Sequence, residues 1–379
     1  MTLRCDIVVV GAGIVGAAVA AALAEAGAEV VIVDRAPPGG GTTAAGMGHL
    51  VAMDDSPAQF ALTVRSLALW RALSAGLPTE VEWDTCGTIW VAADEAELAE
   101  ATAKHAAYAA GGVATTLLDA TALAAREPAL RRGLAGGLLV PGDAVIYPPA
   151  AAAVLLARAE RHGARALLGR EVAAVGEGGV LLADGEVLEA GRVVVAAGAT
   201  SPALVAWPRL AEVLRPRKGH LAISARAPGY LRHQLVELGY LRSAHGHDDV
   251  SVAFNLQPRR TGQVLIGSSR QYDRADAAVE GPVLARMLRR ALDFAPTLAE
   301  LEIRRVWTGF RPATPDSLPL IGPLPSDART WLATGHEGLG ITTALGTAEL
   351  VAAALGAGTS PLDPAPFLPA RFEEVARDV

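Results

Sequence analysis

Residues 7–34 read IVVVGAGIVGAAVAAALAEAGAEVVIVD and decide the fold of this 379-residue chain. The uninterrupted apolar run from Ile7 to Val10 is typical of a strand buried in a parallel sheet. An alanine-rich segment then predicts a helix that ends near Gly27, and a second apolar run ends at Asp34. The stretch therefore predicts a strand, a glycine-rich turn, a helix and a second strand, which form a βαβ unit.

Three glycines of this turn have the spacing of a dinucleotide-binding motif. Gly11 allows the tight turn, Gly13 lets the backbone approach a pyrophosphate, and Gly16 lets the helix pack closely against the strand. We expect the N–H groups of Ile14 and Val15, at the positive end of the helix dipole, to bind the phosphates.

Asp34 follows Gly16 by 18 residues and ends the second strand. A carboxylate at this position accepts hydrogen bonds from a ribose diol and repels a 2′-phosphate. One alternative stays open, because residues 7–24 carry no charge and are just long enough for a membrane span or a signal peptide. The flanking Asp6 and Glu25 and the glycine spacing favour the dinucleotide-binding unit.

Composition excludes several classes of protein. Hydrophobic residues make up 51% of the chain, which is typical of a globular protein. The net charge of −7 is not concentrated in blocks, so nucleic-acid binding is not expected. Cys5 and Cys86 cannot form a metal cluster, and we expect no metal site. With no signal peptide recognised, a reduced, cytoplasmic setting is the default expectation.

The middle of the chain predicts a discontinuous first domain and a second domain. The run RVVVAAGATS, residues 192–201, reads as a buried strand that returns to the first sheet. Strand-like stretches at 220–224, 250–256 and 264–268 contrast with the flanking α/β pattern. They predict an antiparallel sheet in the second domain.

The C-terminal part carries two further motifs. Residues 307–322 read WTGFRPATPDSLPLIG, and residues 334–342 read TGHEGLGIT. The second motif opens a predicted helix that runs to about Leu355.

With these motifs, the chain resembles the D-amino acid oxidase-like superfamily of FAD-dependent amine oxidoreductases. The resemblance covers essentially the whole chain and rests on residues 11–16, 194–200, 309–312, 315–322 and 334–340. This superfamily includes glycine and sarcosine oxidases and D-amino acid dehydrogenases. Residues 46–50 and 53–57 look most like the flavin subunits of D-hydroxyproline dehydrogenases.

The resemblance implies an α/β fold with a Rossmann-type FAD-binding domain and an α+β substrate domain that contains a large, mainly antiparallel sheet. The FAD-binding domain would comprise residues 1–80, 145–213 and 306–379, and the substrate domain residues 81–144 and 214–305. FAD would be held without a covalent bond, because no cysteine follows Cys86; covalent attachment through His49 is the alternative. The cofactor-binding residues would be Gly11, Gly13, Ile14, Val15, Gly16, Asp34, Arg35, Thr42, Thr43, Ala44, Gly46, Met47, Val172, Ala197, Gly198, Arg311, His336, Gly338, Leu339, Gly340, Ile341 and Thr342.

Hydride transfer from an amine carbon to flavin N5 depends on orientation and a neutral amine nitrogen more than on a dedicated acid or base. Arg311 matches the carboxylate-binding arginine of the family, and a guanidinium can hold a carboxylate with two hydrogen bonds. A structural salt bridge is the alternative for Arg311. The other residues expected in the pocket are Asn255, Tyr240, Tyr272 and His49. For each of them, a packing or surface role is the alternative.

Lys218 can be interpreted as a residue for oxygen activation or another cofactor, but a solvated loop lysine is the preferred interpretation.

The resemblance therefore implies oxidation of a small amino or imino acid, such as D-hydroxyproline, to the imine. Two alternatives are an oxidase for glycine, sarcosine or D-amino acids that produces peroxide, and an electron-transfer or scaffold subunit of a larger dehydrogenase. Partner subunits or a separate electron acceptor would then receive the electrons from the flavin. The expected location is cytoplasmic, and no transmembrane segment is expected. The protein would lie at the surface of the inner membrane if its electron acceptor is there.

Overall fold

The computed structural model describes residues 3–176, 178–239, 250–272, 274 and 276–373. The strands are β1 Leu3–Val10, β2 Val30–Asp34, β3 His49–Leu50, β4 Thr88–Ala92, β5 Thr116–Asp119, β6 Gly136–Val140, β7 Ala144–Val145, β8 Arg165–Leu168, β9 Val172–Gly176, β10 Gly179–Leu182, β11 Val187–Val195, β12 Arg215–Ser224, β13 Gln234–Glu237, β14 Val250–Pro258, β15 Val264–Gln271, β16 Ile303–Ala313, β17 Leu320–Leu324 and β18 Asp327–Thr334. The helices are α1 Ile14–Glu25, α2 Thr42–Ala45, α3 Pro57–Ser74, α4 Glu95–Ala110, α5 Ala120–Arg126, α6 Pro148–Arg161, α7 Pro208–Val213, α8 Gly281–Phe294 and α9 Gly340–Ala354.

The first sheet has the order β17-β18-β11-β1-β2-β8, with β10 and β9 attached to β11. Strand β1 pairs in parallel with β2 on one side and with β11 on the other, and β11 pairs in parallel with β18. The predicted α/β fold with a discontinuous Rossmann-type unit is therefore confirmed. The uncharged stretch 7–24 is divided between β1, the glycine turn and α1, so it is not a membrane span.

Helix α1 lies very close to the glycine turn. Gly11 has a positive φ of 108°, a conformation that residues with a Cβ rarely adopt. A Cβ on Gly16 would lie 1.9 Å from the carbonyl oxygen of Gly11 and 3.2 Å from the Cβ of Ala196. Only a glycine at position 16 therefore permits this approach of helix, turn and strand.

The second sheet has the order β16-β12-β15-β14-β13-β4-β6-β5. Among the strand pairs that the described residues form in this sheet, only β13 and β4 run parallel, so the prediction of a large, mainly antiparallel sheet is confirmed. The boundary predicted between residues 305 and 306 falls inside β16. The division into two domains at the stated residues stays a prediction.

Helices α3 and α9 fix the segment that leads from the first sheet toward the second. The buried Trp70 Nε1 on α3 donates to the carbonyl oxygens of Ile341 and Thr342, at 3.2 and 3.1 Å. The hydroxyl of Thr342 in turn donates to the His49 carbonyl at 2.9 Å. The first turn of α9 is therefore held against strand β3.

In the described part of the chain, no helix combines the length and the apolar composition needed to cross a bilayer. The described residues also include no group of three or more His, Cys, Asp or Glu side chains that could hold a metal ion.

We expect Gly16→Ala to lower the free energy of unfolding by about 1–3 kcal/mol, because the new methyl group would overlap backbone that cannot move away. Chemical denaturation measures this change. Gly281→Ala is the matched control, since nothing lies within 4 Å of a Cβ at this first position of α8. That variant should be as stable as the parent or slightly more stable. Equal stability of Gly16→Ala and the parent would contradict the close approach.

Candidate active site

The glycine turn and α2 meet at the N-terminus of α1. Gly13 is the N-cap of α1 and has no side chain to cap it. The Ile14 N–H donates to the hydroxyl of Thr43 at 3.0 Å, and the Thr42 hydroxyl donates to the Phe310 carbonyl at 2.8 Å. Two threonine hydroxyls and the positive end of a helix dipole therefore lie together, which is a suitable setting for a phosphate group.

Asp34 lies at the end of β2 beside this turn. One carboxylate oxygen accepts from the Ala12 N–H at 2.6 Å, and the other accepts from the Ala36 N–H at 2.8 Å. Each oxygen keeps a second lone pair with which it can accept from a sugar hydroxyl. The neighbouring Arg35 is exposed and pairs with Glu171 at 3.2 Å. The turn, α2 and Asp34 together fit a dinucleotide.

Val172, Ala197 and Gly198 surround the same edge of the first sheet. Val172 begins β9 and is buried, while Ala197 and Gly198 follow the end of β11. The carbonyl of Gly198 accepts from the Thr334 hydroxyl at the end of β18, at 3.1 Å. Ligands of open α/β sheets bind outside the carboxyl ends of the strands, where these residues lie.

A cavity lies between the segment that contains β3, the residues that precede α9 and one face of the second sheet. The lining residues are His49, Val51, Met53, Asp55, Gln59, Trp90, Arg217, Gln234, Val236, Asn255, Arg270, Ser317, Glu337, Gly338 and Leu339. Of the sequence-predicted catalytic residues, His49 and Asn255 line this cavity. Gly338 and Leu339, which were predicted to bind the cofactor, line it as well.

One side of the cavity is charged. The Glu337 carboxylate lies 3.2 Å from Nη1 of the buried Arg217 and 3.9 Å from Nε of the buried Arg270. Burial raises the pKa of the Glu337 carboxyl, but the charges of Arg270, Arg311 and Arg217 together outweigh burial and hold this pKa below its ordinary value. Glu337 is therefore ionised at neutral pH and offsets part of the positive charge.

Arg311 belongs to this charged cluster without lining the cavity. It lies directly opposite Arg217 in the pairing of β16 with β12, and its Nη1 donates to the Ser269 carbonyl at 3.1 Å. A Cβ on Gly219 would lie 2.4 Å from Nη1 of Arg311, so this glycine leaves the room that the guanidinium occupies. The guanidinium groups in the lining itself are those of Arg217 and Arg270.

The remaining side of the cavity is neutral but polar. Gln59, Gln234 and Asn255 are each at least 95% buried, and each has a side-chain oxygen without a partner among the described residues. Trp90 Nε1 and His49 Nε2 are also buried there and unpaired among the described residues. Burial, reinforced by the charge of Arg311, lowers the pKa of His49 to about 3, so its imidazole is neutral at pH 7.

Comparison with known proteins identifies the family. A family model described as FAD dependent oxidoreductase matches residues 6–354. The chain belongs to this family. FAD is accordingly its cofactor, and the glycine turn, α2 and Asp34 are suited to hold its dinucleotide part.

Three relatives span nearly the whole chain of this FAD-dependent oxidoreductase. Glycine oxidase of Geobacillus kaustophilus is 29% identical and aligns over 97% of this chain and 97% of its own. Its crystal structure superposes with a TM-score of 0.86 and 28% identity over 97% of this chain and 98% of that one. D-amino acid dehydrogenase 2 of Ralstonia nicotianae is 30% identical and aligns over 97% of this chain and 100% of its own. Hydrogen cyanide synthase subunit HcnC of Pseudomonas aeruginosa is 28% identical and aligns over 98% of this chain and 97% of its own.

The segment predicted to line the flavin packs between both sheets. A Cβ on Gly46 would lie 2.8 Å from Cδ1 of Ile341, so Gly46 allows the start of α9 to approach. The Met47 carbonyl accepts from Gln257 Nε2 at 2.9 Å. Ala44 lies between them and the threonines, in α2. Gly340 and Thr342 belong to the first turn of α9, beside this segment.

Other predicted residues lie away from the cavity lining. His336 is buried, and its Nε2 is hydrogen-bonded to the Thr347 hydroxyl at 2.9 Å, an interaction within the α9 region. Tyr272 is 39% exposed, and its ring centre lies 4.6 Å from the guanidinium carbon of Arg217. Tyr240 lies outside the described residues.

The prediction that Lys218 is a solvated loop residue was wrong. Lys218 lies in β12 and is completely buried. Its Nζ is paired with Asp276 at 3.2 Å and Glu280 at 3.1 Å. These two acidic partners compensate the buried charge and allow Lys218 to lie within a strand.

Sequence reasoning missed Gln59, Gln234, Arg217 and Arg270. Gln234 and Arg270 lie within strands, and Gln59 lies on the buried side of α3, so no sequence motif marked them. Arg217 lies in β12 together with Arg215, Lys218 and His220, and this group of basic residues in one strand was the available signal.

We expect Asp34→Ala to weaken FAD binding about 10-fold or more, because a charged acceptor for the ribose is lost. Quenching of flavin fluorescence measures the Kd. Asp6→Ala is the matched control: its carboxylate also accepts a backbone N–H, from Glu29 at 2.9 Å, but it lies away from the glycine turn. Equal FAD affinity of the Asp34 variant and the parent would contradict this role of Asp34.

We also expect Glu337→Gln to lower the free energy of unfolding at pH 7 by about 1–3 kcal/mol, because buried guanidinium groups lose their counter-charge. The arginines hold the folded-state pKa of Glu337 below its ordinary value of 4.5. Its stabilising contribution is therefore present above pH 4.5 and is lost as the pH falls through the folded-state pKa. Denaturation curves at several pH values should show the variant and the parent converging in acid.

Glu186→Gln, at an exposed pair with Arg170, should change stability by about 1 kcal/mol at most. A difference between Glu337→Gln and the parent that grows as the pH falls would contradict the assignment.

Proposed function

We propose that this FAD-dependent oxidoreductase oxidises a small amino or imino acid at its carbon–nitrogen bond. The observation that carries the proposal is the cluster of Arg217, Arg270 and Arg311 beside the cavity. Guanidinium groups bind carboxylates with paired, charge-assisted hydrogen bonds, so this cluster suits a substrate that carries a carboxylate.

The names of the relatives support the same substrate class. Two are a glycine oxidase and a D-amino acid dehydrogenase, and each aligns over more than nine-tenths of this chain. HcnC is named as a subunit of hydrogen cyanide synthase, which supports a variant of the proposal in which partner subunits accept the electrons.

The residues of the chain would orient the substrate. We assign Arg311, supported by Arg217 and Arg270, to the substrate carboxylate, because a planar guanidinium fixes both its position and its orientation. His49, neutral at pH 7, can accept a hydrogen bond from the substrate nitrogen without adding charge to the cavity. Bound FAD supplies the hydride acceptor. Buried lining residues such as Val51 and Val236 exclude water.

Within this class, we place cis-4-hydroxy-D-proline or a similar ring imino acid first, on the resemblance of residues 46–57. Oxidation of glycine, sarcosine or a D-amino acid with formation of peroxide is the second candidate, favoured by the glycine oxidase relative. An electron-transfer subunit whose partners do the chemistry is the third. In each case we place the protein in the cytoplasm or at the membrane surface.

Anaerobic bleaching of the flavin spectrum by a panel of D- and L-amino and imino acids tests this proposal. Bleaching by at least one member is the expected result. A chain that binds FAD and is reduced by none of them would contradict the proposal and favour the electron-transfer subunit. Rapid reoxidation of the reduced flavin in air with stoichiometric peroxide would identify an oxidase rather than a dehydrogenase.

We expect Arg311→Lys to lose most of the catalytic efficiency, about 100-fold or more, while FAD stays bound, because lysine cannot form the paired hydrogen bonds. Steady-state kinetics and the FAD-to-protein ratio measure both effects. Arg304→Lys is the matched control, since Arg304 lies on the same strand β16 but is exposed and paired with Glu302. Near-normal kinetics of Arg311→Lys would transfer the carboxylate-binding role to Arg217 or Arg270, whose lysine variants would then show the loss.

A further inference from the structure

The neutral side of the cavity contains an unusual group of amides, which we call the amide wall: Gln59, Gln234 and Asn255. Their relative exposures are only 4%, 1% and 5%. In each, the side-chain oxygen is buried and has no hydrogen-bond partner among the described residues. Buried polar atoms are nearly always paired in folded proteins, so three unpaired amide oxygens in residues around one cavity indicate a ligand.

The strands place two of these amides on one face of the second sheet. Asn255 lies opposite Val236 in the pairing of β14 with β13, and Val236 lies opposite Trp90 in β4. Gln234 precedes Val236 by two residues and therefore shares its face. Gln59 reaches the cavity from α3, where its Nε2 donates to the Ser317 carbonyl at 3.3 Å. The amide wall thus surrounds an apolar patch formed by Val236 and Trp90.

Trp90 completes the chemistry of the wall. Its indole Nε1 is buried and unpaired among the described residues, and an indole nitrogen can only donate. The amide oxygens of the wall accept, and the NH2 groups of Gln234 and Asn255 can donate as the indole does. The wall therefore offers acceptors and donors side by side, next to carbon surface. A hydroxyl group donates one hydrogen bond and accepts others, so it matches this arrangement.

Charged groups match the wall less well. An ionised carboxylate cannot donate a hydrogen bond, so it would leave the amide oxygens unpaired, and the guanidinium groups that suit it lie on the charged side of the cavity. An ammonium group cannot accept a hydrogen bond, so it would leave Trp90 Nε1 unpaired. The hydrogen-bonding pattern consequently favours a neutral, hydroxylated substituent.

We propose that the amide wall and Trp90 recognise a hydroxyl group on the carbon skeleton of the substrate. The substrate is then an amino or imino acid that bears a hydroxyl group, with its carboxylate on the charged side of the cavity. This inference rests on the proposed function. Gln59, Gln234 and Asn255 become specificity-determining residues, because an analogue without the hydroxyl leaves their oxygens unpaired.

Matched pairs of substrates test the inference by anaerobic stopped-flow reduction of the holoenzyme. The pairs are cis-4-hydroxy-D-proline with D-proline and D-serine with D-alanine. In at least one pair, the hydroxylated member should reduce the flavin at least about 100-fold more efficiently, as the ratio of rate constant to Kd. Equal or better reduction by the unhydroxylated members, or by glycine or sarcosine, would overturn the inference and leave the proposed function intact. Reduction by no compound at all would overturn the proposed function as well.

Variants of the amide wall test whether these residues recognise the substrate hydroxyl. Gln234→Met and Asn255→Leu keep much of the side-chain volume and remove the amide. Each should reduce the preference for the hydroxylated substrate, read as the ratio of the two reduction efficiencies, about 10-fold or more. A purely structural role would lower both rates together and overturn the assignment. Gln263→Met, the same replacement in the β14–β15 connection away from the cavity, is the control, and the FAD-to-protein ratio confirms folding of each variant.

Discussion

The contact between Gly16 and the carbonyl of Gly11 is the constraint on which the cofactor site depends. With less than 2 Å available for a Cβ, α1 lies directly on the turn that follows β1. This position brings the N–H groups of its first turn to the carboxyl ends of β1 and β11. The hydroxyl of Thr43 and the backbone of Gly198 reach the same edge from distant parts of the chain. Because residue 16 is a glycine, the helix, the α2 segment and the end of β11 can meet at one edge of the sheet.

The cavity separates two kinds of recognition. On one side, three arginines and Glu337 form a strongly polar cluster in which burial strengthens every electrostatic interaction. On the other side, amides and an indole provide hydrogen bonds without charge. A ligand that combines an anion with a neutral polar group can satisfy both sides at once. The start of α9 lies at the cavity through Gly338 and Leu339, which connects this recognition to the cofactor region.

The first sheet was predictable because its signals are local. The apolar runs of β1 and β2, the glycine spacing and the acid at residue 34 lie within 28 residues. The cavity was only partly predictable. Glu337 meets Arg217 across 120 residues of sequence, and a single glutamine in a strand carries no sign of the surface that it faces. Lys218 shows the same limit, because its acidic partners are about 60 residues away.

The pairing of β1 with β11 and of β11 with β18 has a consequence for biosynthesis. Strand β1 is synthesised about 180 residues before its neighbour β11, and β18 ends only at Thr334. Contacts between segments so far apart form slowly, because the intervening chain must be ordered first. The edge of β1 that pairs with β11 therefore has no partner in the nascent chain until β11 has been synthesised. The row of parallel strands β2, β1, β11 and β18 is complete only after residue 334 has been added.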